Sequence, residues 1–566
     1  AWRTLVHGRG TAPVRVSVNG APAEVWASRD AFVAVAALEP GSNRVVAAAG
    51  GSVSVTKYDV PLVPRPRASA VARTAAGRVV LDARGSAPST YGGSPIRSWR
   101  WEQRGGADLA GLPASGQVVA IPAPDGPGPW YGDLRVGDAD GQADRAGVTV
   151  GADRPALWTT DAIVYGVIPF AFGYRGFADV RGALPRLQAL GVNTLWLSPV
   201  FRPITFDFGY GVVDYFTIRH DYGGQEELAR LIVAAHDLGI RVLLDIAANH
   251  TSDRHPYFRA AARDGRRSHQ YGYYQRDANG NPVHYFDWTD LPNLDFDNSE
   301  VRRWMAEVMT HWVRELDVDG YRCDAAWGIR ERTPEAWPEL VAELRRVKPD
   351  ALLLAEASSR DSYCHKTGFD LAYDWTDDLG EWAWRDVFAD PQQVVERLDV
   401  ALGPAPGDQV FRCLNNNDTG ERFIDRYGPG MTRVAAALLL TLPGVPCIYT
   451  GDEVGASIDP YETYGPIDWS TGHPGLLEWY AQLCAVRSAT AALRSGPYLR
   501  LRATPARDVF AYQRDDVRVI LNVGDRAVRA EVAPTTGPMV DLFTGRPLAP
   551  GPVPLPAYGA VILSPA

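Results

Sequence analysis

No stretch of this sequence approaches the roughly 18 consecutive apolar residues of a membrane span. The longest apolar run, around Val434 to Leu442, reads as a helix with a strand to follow. No basic run occurs either: 57 Lys and Arg stand against 67 Asp and Glu, a net charge of -10, so a nucleic-acid partner is not expected. Cysteine is scarce and odd in number. The five residues, Cys323, Cys364, Cys413, Cys447 and Cys484, lack paired spacing, which argues against a disulfide framework or a thiolate metal site and for buried free thiols. Internal repeats and low-complexity tracts are also missing. A chain that opens at Ala1 without Met is expected to be a trimmed or mature form, in which a signal peptide would not be visible.

Aromatic residues, by contrast, are plentiful, with 17 Trp and 24 Tyr. Such flat apolar faces suit core packing first and sugar rings second. A length of 566 residues implies roughly three to four domains. Residues 1–58 are short β-runs (VRVSVNG, AEVWAS, AFVAVAAL) punctuated by Asn19–Gly20 and Gly50–Gly51, the pattern of a small β-sandwich. Pro61 to Pro66 reads as a stiff linker. Residues 59–153 hold a second β-module whose VVLDARGS, SWRW and DADG phrases resemble immunoglobulin-like modules of the polycystic-kidney-disease-repeat type. Trp26, Trp99, Trp101 and Trp130 are expected either to pack these modules or to offer sugar platforms. The DADGQAD turn looks calcium-like but lacks the full spacing of a calcium loop.

From Trp158 strands and helices alternate: AIVYGVIPF, ADVRGALPRLQALG, NTLWLSPV, EELARLIVAAHDLG, RVLLDIAANH. That order implies parallel strands with crossover helices. The expected architecture is multidomain, with an α/β (β/α)8 TIM barrel over 154–488. An insertion at 251–297 follows its third strand, two β-sandwich modules precede the barrel, and a β-sandwich domain follows at 489–566. Within the barrel, apolar runs end in acids: VLLDIAANH, DGYRCDAAWG and LLLAEAS deliver Asp245, Asp324 and Glu356, and CLNNNDTGER adds Asp418. Acids at the carboxyl ends of barrel strands are how this fold presents catalytic groups. Arg322 and Asp324, two apart on a strand, share a face, and the guanidinium is expected to hold Asp324 ionised as a nucleophile. Glu356, behind an aliphatic run, is expected to have a raised pKa and act as a general acid. Two carboxyls with separate roles are the requirement of glycoside hydrolysis.

These segments, with LGVNTLWLSPV, GYGVVDY, LPNLDF and LPGVPCIYTGDEVG in the same order, resemble the α-amylase family, glycoside hydrolase family 13, from about Trp158 to the C-terminus. The resemblance implies a retaining hydrolase of α-1,4-glucans or maltooligosaccharides. Asp324 would be the nucleophile, Glu356 the acid/base, Asp418 the transition-state stabiliser and Arg322 the support of the nucleophile. Tyr210 would stack on the sugar, with Asp245, His250, Trp327, Asn417, Arg422 and Trp288 as further substrate contacts. Tyr271, Tyr273, Tyr274 and Phe286 would wall the cleft or pack the insertion, while His255 and His269 are expected at the surface. No cofactor is required; calcium is possible, with Asn249 either its ligand or a loop cap. Two departures stand out. Trp327 and Gly328 replace a common Lys and His, and Asn417 replaces the His of Asn-His-Asp. The same carboxylates would serve a transglycosylase or glucoside isomerase, and a non-catalytic glycan-binding protein is the reading from another class. The leading β-modules favour a secreted or bacterial-envelope protein.

Overall fold

The computed structural model describes residues 158–566 except 204–207, 377–379, 404–406, 408, 463–464, 533–536 and 549–550. Of the first 150 it describes the strand backbones and a few of the connections between them, including 19–20, 83–88, 112–117 and 139–142. The linker at Pro61–Pro66 and the 153/154 boundary fall largely or wholly outside the described residues.

Eight parallel strands close into a barrel: β1 Val164–Val167, β2 Thr194–Leu197, β3 Arg241–Ile246, β4 Gly320–Cys323, β5 Leu352–Ser358, β6 Leu371–Tyr373, β7 Val410–Cys413 and β8 Val445–Tyr449. Their near-continuous burial follows from helices covering the outside and side chains filling the inside. Alternation sorts each strand into two layers. Leu195, Val242, Leu244, Tyr321 and Leu353 face the helices. Trp196, Leu243, Leu352, Leu354 and Phe411 fill the interior. On β3 the inward series runs Leu243 then Asp245, and on β5 Leu352, Leu354 then Glu356. The same face is thus apolar at the bottom of the barrel and charged at the top. Register aligns the charges laterally, because Asp245 on β3 is the partner of Arg322 on β4. Gly320 opens β4 at φ +152, and a Cβ there would lie 1.9 Å from the Leu352 carbonyl oxygen. Only glycine lets β4 approach β5 this closely.

The helices fall where the apolar period places them, notably Phe177–Leu190, Gly224–Asp237, Ser299–Leu316 and Phe423–Thr441. The insertion after β3 holds a short helix, Pro256–Asp264, and a ribbon pairing His284–Tyr285 with Trp288–Pro292. Tyr273 and Tyr274 are buried within it, which makes them packing residues. His255 corrects the surface reading: it is 1% exposed, and its Nδ1 caps the short helix by accepting from the Tyr257 amide at 3.2 Å. His269 pairs with Glu300 at 2.9 Å.

The first β-region forms a four-stranded and a three-stranded sheet, the second two three-stranded sheets, and the last a six-stranded and a three-stranded sheet. Trp101 is 4% exposed and donates to the Gly116 carbonyl at 2.8 Å, so it packs the second module. The side chains of Trp26 and Trp130 lie outside the described residues. The DADGQAD segment is a hairpin turn. Asp138 accepts from the amides of Asp140 and Gln142, while Asp144 accepts from the Ala68 amide and from Arg303 of the barrel at 2.9 Å. All five cysteines are buried and unbridged.

Candidate active site

Arg322 stands at the centre of the barrel mouth with no exposed side-chain surface. Its Nη1 lies 3.0 Å from Asp245 Oδ1 and 2.7 Å from Asp324 Oδ1, and its Nη2 3.0 Å from Glu356 Oε2. Nε donates to the Tyr373 hydroxyl at 3.0 Å. One guanidinium therefore serves three carboxylates, with Asp418 beyond them. Removing so many acids from water disfavours their charged forms, and one cation cannot neutralise all of them. Burial, opposed by Arg322, pushes Asp245 up to about 6 and Glu356 up to about 7. Asp324 is raised as well, by burial first, against the pull of Arg322 and with the charge of Asp245 adding. The expectation that the guanidinium holds Asp324 ionised meets an opposing effect: burial outweighs the ion pair, so the cluster as a whole retains protons near neutrality, and Arg322 limits the rise at Asp324 without cancelling it. The charge of Asp324 also favours the proton on Glu356. Of the two, Asp324 makes the shorter contact with Arg322, 2.7 against 3.0 Å, which favours the charge on Asp324 and leaves Glu356 better placed to hold a proton.

The turn after β4 fixes this pair. Ala325 sits in the left-handed region at φ +45, an unfavourable conformation for a residue with a Cβ. It aims its amide at Glu356 Oε2, 2.6 Å away.

Tyr210 links the two sides of the mouth. Its hydroxyl donates to Asp245 Oδ2 at 3.2 Å and accepts from Arg322 Nη1 at 3.2 Å and Asn417 Nδ2 at 3.1 Å. Asn417 Nδ2 also lies 3.0 Å from Asp418 Oδ1 and 2.9 Å from the Tyr461 hydroxyl. Burial and then the Glu356 charge raise Asp418 to about 6. Its side chain nevertheless opens to solvent at the rim, and water softens that rise. His250 is buried, which lowers it to about 3 and keeps it neutral; its ring lies 4.9 Å from that of Tyr285. Trp327 packs on Tyr285 and Phe286 at centroid distances of 6.0 and 5.6 Å. Phe286 and Trp288 are more than half exposed, forming an aromatic rim.

Two sequence expectations fail. Arg422 donates to the Thr450 carbonyl and pairs with Asp452 at 2.9 Å, and it is 2% exposed. It locks the end of β8 to the loop after β7 and is not a substrate contact. Asn249 does not fit a calcium ligand, because its Oδ1 accepts from the Arg332 guanidinium and its Nδ2 donates to Asn293 Oδ1 at 3.0 Å. Among the described residues no group of three or more His, Cys, Asp or Glu is placed to hold a metal.

Other site residues escape sequence reading. Tyr461, from the loop after β8, donates to Asp418 Oδ1 at 3.0 Å and packs on Phe208 at 5.0 Å. Trp196 donates to Asp245 Oδ2 at 3.1 Å. Tyr461 lies in an irregular polar loop without periodicity, and Trp196 looks like any core aromatic of its strand.

The α-amylase catalytic-domain family model matches residues 175–464. An α-amylase (MalA) of Haloarcula japonica is 30% identical over 400 residues, covering 67% of this chain and 58% of its own length. A 4-α-glucanotransferase of Thermotoga neapolitana is 29% identical over 313 residues, 50% of this chain and 68% of that protein. The solved structure of Ttha1563 from Thermus thermophilus superposes with a TM-score of 0.62 at 24% identity, over 72% of this chain and all of that one.

Proposed function

Because the chain belongs to the α-amylase family, we propose that it is a retaining α-glycoside hydrolase acting on α-1,4-glucans or maltooligosaccharides. The observation that carries the reading is the Asp324–Glu356 pair under Arg322. Two carboxyls held by one guanidinium, one for attack on the sugar and one for proton transfer, are the equipment of a retaining mechanism. Glu356 carries the proton and gives it to the glycosidic oxygen as that bond breaks. Asp324 Oδ attacks the anomeric carbon and forms a glycosyl ester. The emptied Glu356 carboxylate then takes a proton from water, whose oxygen displaces Asp324 and restores both groups. Asp418, oriented by Asn417 and Tyr461, binds sugar hydroxyls, and Tyr210 presents its ring beneath the sugar. His250, neutral, donates or accepts hydrogen bonds without adding charge. An exported enzyme meeting polymeric glucan outside the cell fits the flanking β-modules.

Transglycosylation, in which a sugar hydroxyl replaces the water, is the second reading. It is favoured by the exposed aromatic rim of Phe286 and Trp288 beside Trp327, a surface suited to holding an acceptor sugar. Maltoheptaose followed over time, beside an Asp324→Ala control, tests both. Shorter oligosaccharides absent from the control are the expected result. Products longer than the substrate would transfer the assignment to the second reading. No products from the wild-type protein on any α-glucan would overturn both.

A further inference from the structure

Asn249 lies three residues past the end of β3, one before His250, and its amide is pinned on three sides. Its Oδ1 accepts from Arg332 Nη2, its Nδ2 donates to Asn293 Oδ1, and that same Nδ2 lies 3.2 Å from His250 Nδ1. The backbone carbonyl of Asn249 accepts from the Leu294 amide at 3.0 Å, tying the end of the insertion to the barrel at this point. We propose that the Arg332 guanidinium is the resident cation of this junction, taking the place a divalent metal would have at the Asn249 amide oxygen, and that through Asn249 it positions His250.

Three observations support the assignment. Arg332 ends the helix Ala326–Arg332, and Gly328 stands one turn earlier on the same face. A Cβ at Gly328 would lie 2.8 Å from Asn249 Oδ1 and 3.0 Å from Arg332 Nη1, so the missing side chain is the space in which the guanidinium meets the amide. Glu331 and the half-buried Asp295 contribute the negative charge around Arg332. A neutral amide oxygen with carboxylates nearby suits a planar fork of donors, whereas calcium takes six to eight oxygens. Finally, the contact decides the orientation of the Asn249 amide and hence a proton. With Oδ1 committed to a cation, Nδ2 is the atom that faces His250 Nδ1. That nitrogen must then accept, and the ring proton sits on Nε2. Arg332 is thus a positioning residue, acting on the sugar contact from the far side of Asn249.

The stability arm of the test stands alone; the kinetic arm rests on the proposed glycosidase activity. Thermal unfolding of the desalted wild-type protein should be superimposable with chelator, with added calcium and with neither. Arg332→Ala should unfold roughly 3–6 °C lower and lose roughly tenfold or more in kcat/KM, mainly through KM. Arg332→Lys, or guanidinium at sub-denaturing concentration added to Arg332→Ala, should recover part of both losses. Gly328→Ala, which improves helix propensity, should nonetheless unfold earlier because it drives the guanidinium off the amide. A wild-type protein that loses stability to chelator and regains it with calcium would overturn the proposal. So would an Arg332→Ala protein that matches wild type, or one whose stability neither Lys nor guanidinium improves. A protein inactive on every glucan but with the expected thermal pattern would retain the cation assignment and reject only the glycosidase reading.

Discussion

Asp324→Ala should leave the protein folded and reduce kcat on maltooligosaccharides by on the order of 10^5-fold, the scale on which a hydrolase loses its nucleophile. That corresponds to about 7 kcal/mol of transition-state stabilisation. The fold should survive because Arg322 faces more negative charge than it can neutralise. Removing one carboxyl leaves Asp245 and Glu356 still in contact with the guanidinium and relieves their mutual repulsion. The melting temperature at pH 8 is therefore expected to stay level or rise. Single-turnover kinetics and mass spectrometry supply the check: a glycosyl adduct should form on the wild-type chain with a slow substrate and be absent from the variant. A variant retaining more than a hundredth of wild-type turnover would remove Asp324 from the nucleophile's role.

Glu356→Gln separates the acid from the nucleophile. Loss of a general acid costs roughly 10^2–10^4-fold, and the cost should fall on natural glucosides while sparing substrates with activated aryl leaving groups. The wild-type alkaline limb of kcat/KM is expected near pH 7, where burial places the Glu356 carboxyl. It should vanish in the variant. Stability gives the same group a second readout. Carboxyls near 4 when unfolded are raised in the fold, Glu356 to about 7 and Asp245 to about 6, so the native state binds protons more tightly. This favourable contribution is complete below about pH 4 and is lost as pH rises through 6 to 7. The wild-type melting temperature should accordingly fall between pH 5 and 8, and Glu356→Gln should flatten the upper part of that fall. A melting temperature that instead rises over the same interval would contradict the buried, protonated state of the cluster.

Much of this was readable from the sequence because the barrel carries its own grammar. Aliphatic runs such as Leu352–Leu353–Leu354 mark buried parallel strands, and the acid that ends each run marks the mouth. That grammar singles out Asp245, Asp324, Glu356 and Asp418. The sequence did not disclose what depends on sums over distance. The i+2 spacing ties Arg322 to Asp324, yet the same guanidinium also serves Asp245 on β3 and Glu356 on β5, and burial of the whole group raises its carboxyls against the pull of that cation. Arg422 had the right residue type near Asp418, but the turn after β7 directs it to Asp452. Tyr461 was invisible because it sits 43 residues beyond Asp418 in a loop without period. Asn249 reads from the sequence as a calcium ligand or a loop cap, and nothing there names Arg332 as its partner. A helical arginine gives no local sign that it faces an amide rather than water.

The replacement of imidazole by an amide at Asn417 bears on heat as well as on contact. Asn417 is neutral at every pH, and burial holds His250 neutral down to about 3. The groups left to change charge in the working range are carboxyls. Ionising a carboxylic acid absorbs almost no enthalpy, whereas ionising an imidazolium absorbs a good deal, so imidazole-governed pH optima slide downward on warming. Here the pH optimum should stay in place from cold to warm conditions. The enzyme would keep one acidity setting across its whole thermal range.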